Sequence, residues 1–180
     1  MLHKDFYVFR SLIAIILLGF LFVPPAFSED DEEEGSDLRR WQEKAVVLPP
    51  APLAENLLPF YVSAATNNDF FVDGTSISVG SDGVVRYVLV VQSAGGARNV
   101  SFEGIRCETR EYRDYAFGRP DGTWSKSRNE NWRAIRDVPA NRHHFTLFID
   151  YFCPGGVISL SVDHVRDAFR RGPYRDNRWW

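Results

Sequence analysis

Residues 70–107 read FFVDGTSISVGSDGVVRYVLVVQSAGGARNVSFEGIRC, and this stretch decides the fold. Thr75 to Val79 alternates, with Thr75, Ile77 and Val79 on one side and Ser76 and Ser78 on the other. That is the pattern of a half-buried strand. Gly80-Ser81-Asp82-Gly83 suits a type I turn closed by a glycine at positive φ. Val84 to Gln92 is apolar on both faces and broken only by Arg86, which predicts a central strand covered on both sides. Gly95-Gly96 makes the next turn. In the third strand Val100 and Phe102 share a face, and the apolar parity then flips to Ile105 and Cys107. Gly104 sits at the flip and predicts a β-bulge there.

Working outward, Trp41 to Leu48 alternates and predicts a first strand. Pro49, Pro50, Pro52 and Pro59 make residues 49–59 an extended surface linker, followed by a short strand from Phe60 to Ala64. After Cys107 the charges Glu108, Arg110, Glu111, Arg113 and Asp114 alternate in sign. Arg119-Pro120-Asp121-Gly122 is a turn and Trp124 opens the return strand. Ile105 to Lys126 therefore reads as one long hairpin, charged on both faces in its outer part. It is either a solvated ribbon with cross-strand ion pairs, the plainer reading, or a projecting recognition arm.

From Asn141 to Cys153 the period becomes helical, with Phe145, Phe148, Ile149 and Phe152 on one stripe and Cys153 in line with Ile149. Pro154-Gly155-Gly156 stops that helix. Ser161 is the expected N-cap of a second one, with Val162, Val165 and Phe169 inward and Gly172-Pro173 at its end. The predicted class is α+β: an antiparallel meander of about six strands packed with one or two helices, in a single domain from about residue 38 to 180.

The N-terminus reads as a secretory signal peptide over residues 1–28, with cleavage between Ser28 and Glu29. Lys4 and Arg10 precede the apolar run Ser11 to Val23, Pro24-Pro25 breaks it, and Ala26-Phe27-Ser28 presents small residues to a peptidase. The run is too short for a stable membrane span, and an uncleaved anchor is the alternative. Residues 29–37 hold seven acids and no base, the composition of a solvated, disordered leader. Removing the signal leaves about 150 residues, enough for one core. Three of the 21 basic residues are lysine, the bias expected of a GC-rich genome. Two cysteines in an exported chain predict one disulfide, Cys107 to Cys153.

The usual catalytic signatures are missing: there is no G-x-S-x-G, phosphate loop, G-x-G-x-x-G or C-x-x-C, and no cofactor is expected. His143 and Asp150 share a helix face about 10 Å apart, too far for one metal ion, so a site there would need a third ligand such as His164 or Glu103. Partly exposed helix histidines are the plainer reading, and no metal is expected. Trp124, Arg128, Trp132 and Arg133 form a candidate binding surface. Arg170, Arg171, Tyr174, Arg175, Arg178, Trp179 and Trp180 are its expected companions. Aromatic faces beside guanidinium groups suit sugars or anionic polymers. The plainer reading is that these residues pack.

Three stretches carry a resemblance: FYVSAATNNDFFVDGTSISVGSDGVVRYVLVV, NVSFEGIRCETREYRDYAFGRPDGTW and FCPGG. Together, over roughly residues 41–155, the chain resembles the CNP-like family of small exported proteins, found largely in Gram-negative betaproteobacteria. The resemblance implies a periplasmic or envelope location and carries no activity or catalytic residue with it. The expected function is a non-enzymatic module that binds an envelope component or a protein, not nucleic acid. A cell-wall-directed hydrolase or transferase with unidentified acidic residues is the alternative. An accessory factor presenting the charged hairpin is a third.

Overall fold

The protein is seen in a computed structural model that describes residues 41–159 and 161–172. The segments expected to be a signal peptide and an acidic leader, and the tail from residue 173 on, lie outside the described residues. The elements in chain order are β1 (Leu57–Phe60), β2 (Asp69–Asp73), β3 (Ser78–Val79), β4 (Val84–Gln92), β5 (Arg98–Arg106), β6 (Glu111–Gly118), β7 (Trp124–Lys126) and β8 (Arg133–Ala134). Helix α1 (Arg142–Thr146) continues into a π-helical turn, Leu147–Phe152, and α2 (Val162–Arg171) closes the fold. The class is α+β. The eight strands form one antiparallel sheet in the order β1-β2-β4-β5-β6-β7, with β3 beside β4 and β8 beside β6.

β4 is central, as its two apolar faces require. Val85, Tyr87 and Leu89 face one cluster and Val88 and Val90 the other. The turns flanking it form as their glycines predict, with Gly83 at φ 77° and Gly96 at φ 84°. On the first face both helices cover the sheet, and the contact is largely aromatic. Tyr151 stacks on Phe169 at 4.2 Å, Phe60 meets both, and Tyr87 packs on Phe152 at 4.7 Å. Ser161 caps α2 by accepting the His164 N–H at 3.2 Å, and Val165 and Phe169 point inward. The Cys107–Cys153 disulfide, with 5.5 Å between Cα atoms, ties the end of β5 to the end of the π-helical turn.

Several expectations need correction. Trp41 to Leu48 is not a strand. It crosses the second face as an extended strap, in which Val46 packs beside Phe102 and Tyr115 while Val47 and Leu48 are exposed. The strap is held by side chains: Trp41 Nε1 donates to the Asp82 carbonyl at 2.7 Å, and Glu43 accepts from Arg113 and from Tyr115. The strand expected at Phe60 to Ala64 ends at Phe60, and Leu57 to Pro59 pair with β2 instead of forming linker. Pro59 fits because β1 is an edge strand, where a missing N–H costs no ladder bond. The strand expected from Thr75 shrinks to Ser78–Val79, because the Asp73 carboxylate takes the N–H and hydroxyl of Thr75 and turns the chain there.

The expected bulge at Gly104 is absent. β4 and β5 pair without interruption, and the extra residue, Tyr115, lies in β6. There is no change of parity in β5: Ser101, Glu103 and Ile105 share the first face, and Glu103 is simply an acid in an inward position. The long charged hairpin is two hairpins. The chain turns at Cys107 to Arg110, and β6 lies inside the sheet between β5 and β7. Its charges form ion pairs with Glu43 and Arg133, so no arm projects. The inward stripe of the first helix also differs. The π-helical turn closes with Cys153 N–H on the Phe148 carbonyl, which brings Leu147 and Tyr151 inward and leaves Ile149 44 % exposed.

Candidate functional site

β5 carries Glu103 into the first face at a position that parity reserves for an apolar residue, and it is 3 % exposed. A buried carboxylate must be paired or hydrogen-bonded, and this one is saturated. The Tyr87 hydroxyl donates to Oε2 at 2.8 Å, the Ser101 hydroxyl to Oε1 at 2.5 Å, and His144 Nε2 lies 2.9 Å from Oε2. Burial pushes the Glu103 carboxyl up, but the His144 charge and hydrogen bond outweigh it, with His143 and Ser101 adding to them, and hold it down at about 2. Glu103 in turn raises the Tyr87 phenol, which burial has already pushed up. An ionised carboxylate at Nε2 places the shared proton on that nitrogen. Nδ1 of His144 is buried without a partner. The Tyr112 ring stacks on the His144 ring at 3.7 Å, and the Arg133 guanidinium lies over Tyr112 at 4.3 Å while pairing with Asp114.

Glu103, Asp114 and His144 have their donor atoms within 4.8 Å of one another, so among the described residues they are the set that could hold a metal ion. Each is already engaged. Three donors fill Glu103, and Arg133 compensates Asp114, whose carboxyl is pushed up by burial and by the Glu103 charge. An ion there would compete with Arg133 for Asp114 and with Tyr87 and Ser101 for Glu103, and the arrangement as it stands is a polar network that spans sheet and helix.

His143 connects this network to the surface. Its ring lies 4.0 Å from that of His144 and stacks on Phe70 at 5.6 Å. Burial, and then the charge of His144, pull its basicity down to about 4, so at neutral pH it is an uncharged imidazole. It forms part of the wall of a groove of about 280 Å³ between the loop after β1 and the segment Pro139 to His143. Phe70, Val91 and Val62 supply apolar walls, and Ser63, Thr66 and Asn68 the polar ones. Sequence reasoning named His143 and Glu103 but joined them to Asp150 and His164, and the view of these histidines as partly exposed fails for His144, which is 4 % exposed. The signal available was the acid itself, standing where the strand pattern wants an apolar residue.

The residues expected to bind are placed as follows. Trp124 packs with Phe102 on the second face and donates its Nε1–H to the Pro49 carbonyl at 2.7 Å. Trp132 meets Trp41 edge to face at 5.9 Å. Arg128 is exposed between β7 and β8. Arg133 lies over Tyr112, opposite it in the ladder and so on the first face, away from Trp124. Arg170 and Arg171 pair with Asp167, and the rest of the C-terminal group lies outside the described residues. No helix among the described residues is long and apolar enough to cross a membrane.

The family model described as CNP1-like matches residues 36–170. Cryptic neisserial protein 1 of Neisseria gonorrhoeae is 26% identical over 147 residues, which cover 73% of this chain and 71% of that protein. No solved structure matches the chain.

Proposed function

The chain belongs to the CNP1-like family, and from that premise we propose that it is an exported envelope protein that binds a small ligand in the groove beside His143. The N-terminal pattern of basic, apolar and small residues supports export, and the disulfide suits an oxidising compartment. One observation carries the binding reading over the hydrolase or transferase. Of the residues lining the groove, His143 alone titrates between pH 3 and 8, and Arg142, the other ionisable group, is tied to Asp137 at 3.0 Å. Acid–base hydrolysis needs two positioned groups; Glu103 and Asp114, the carboxylates of the network beside His143, are engaged by Tyr87, Ser101, His144 and Arg133, and Asp69 lines the neighbouring depression instead. A concave site with apolar walls and a few convergent polar groups is what ligand recognition requires.

The test is a ligand-observed NMR screen of a mixed fragment library against the protein and against an Ala140→Trp variant, whose indole would fill the groove. Hits that bind the protein and are lost in a folded variant support the site. Hits that the variant retains, or a library without hits, refute it.

A further inference from the structure

The loop Val62 to Asn68 divides two depressions. One is the groove beside His143, and the other, of about 350 Å³, lies toward β1 and is bounded by Pro59, Tyr61 and Asp69. Val62, Ser63, Thr66, Asn68 and Phe70 line both, so an elongated ligand passing over the loop meets the same polar side chains twice.

Those side chains have open hydrogen-bonding valence. The Ser63 hydroxyl accepts the Ala65 N–H and the Thr66 hydroxyl accepts the Asn68 N–H, each at 3.2 Å, which leaves both O–H hydrogens to donate outward. The Asn68 carboxamide and the His143 ring nitrogens have no hydrogen-bond partner among the described residues. An uncharged imidazole both donates and accepts. Tyr61, 68 % exposed at the rim, offers a flat ring. The charge pattern is as specific as the polarity. Arg142 is compensated by Asp137, and among the described residues that line the two depressions the one charge without an ion pair is the acid Asp69.

Several ligand classes fit this lining poorly. An acyl chain would cover the hydroxyls and the carboxamide and leave them unsatisfied. An anion would meet Asp69 and find no open cation. A pyranose fits, because its hydroxyls each donate and accept and its C–H face packs on an aromatic ring. We propose, resting on the groove being the ligand site, that its ligand is an uncharged oligosaccharide lying across the Val62 to Asn68 loop, with Asn68, Thr66 and His143 reading its hydroxyls and Tyr61 stacking on a sugar face.

The test is a titration of the 15N-labelled full chain, followed by amide shifts, with chitotetraose, cellotetraose, tetragalacturonate, decanoate and triglycine into the millimolar range. The expected result is saturable shifts confined to residues 59–71 and 139–143 with a neutral tetrasaccharide. They should weaken about tenfold in Asn68→Ala and Tyr61→Ala. Both positions are exposed, so the remaining spectrum of each variant should match the parent. Shifts at the groove with decanoate, triglycine or tetragalacturonate alone overturn the sugar assignment and leave the groove as a ligand site. Neutral sugars that shift other residues instead overturn the placement. No groove shift with any probe overturns the assignment, and the fragment screen then decides whether the groove binds ligands at all.

Discussion

Glu103 shows how one side chain can organise a face. Its carboxylate accepts from three side chains on β4, β5 and α1, all within 2.9 Å. Glu103→Gln replaces one acceptor oxygen by a donor and leaves at least one buried hydroxyl or imidazole without a partner. It should cost about 2–4 kcal/mol. Tyr87→Phe removes a single donor and should cost about 1 kcal/mol. Urea midpoints at neutral pH check the order, and equal losses would mean the carboxylate is not the hub. Acid acts on the same residues. His143 is uncharged when folded down to about 4 against an ordinary value of 6.5, so the stability from keeping it neutral is present above pH 6.5 and lost as pH falls to 4. Glu103 is ionised down to about 2 against an ordinary 4.5, so its share is lost between pH 4.5 and 2. Each is worth on the order of 3 kcal/mol. Midpoints measured from pH 8 to 3 should begin to fall near pH 6.5, and His143→Phe should remove that first decline. What was legible here was the acid's unusual position. What was not was its partners, 16 and 41 residues away in sequence, without which an inward acid looks like a flip of the strand.

At the scale of elements, local chemistry was readable where a turn carried its own signature. Gly83, Gly96 and Gly122 all adopt positive φ at the turns their neighbours predicted. The turn at Cys107 to Arg110 has neither glycine nor proline, and Arg110 takes φ 53°, the one left-handed non-glycine among the described residues. Nothing local announces it, and two hairpins therefore read as one. The strap misled for a different reason. Its alternation is real, but the apolar side serves to lie on a sheet, and the groups that hold it come from β4 and β6 and from the turn before β4. Glu43→Ala should loosen the strap without unfolding the sheet. Exchange of the Lys44 amide, which donates to the Asp82 carboxylate at 2.9 Å, should accelerate while the protection of β4 and β5 stays. Acceleration throughout would mean the strap is part of the global unfolding unit. Gly104 has a tighter role. A Cβ there would stand 2.5 Å from the Tyr115 hydroxyl oxygen, so Gly104→Ala should displace that ring and cost about 1–3 kcal/mol in thermal unfolding.

Across the whole molecule, the meander order was legible because successive strands joined by short turns pair with each other. That the first helix is pinned to the sheet just after β5 was legible from Cys153 and its partner Cys107. The disulfide closes a separation of 46 residues, which restricts the unfolded chain by about 4 kcal/mol in the loop-entropy account. Reduction should lower the urea midpoint accordingly, with folded-state spectra unchanged at zero denaturant. A loss near zero would mean that the packing of Tyr151, Phe152 and Phe169 alone fixes the helices.

The strap also makes the covering of one face a late event in folding. Glu43 reaches Tyr115, 72 residues away in sequence, and Pro49 reaches Trp124, 75 residues away, so the strap seats only on a sheet that already exists. Before it seats, Val88, Val90 and Phe102 lack its cover. The folding chain therefore passes through an interval in which one side of its sheet is adhesive. A chaperone that grips that side must let go for the strap to close.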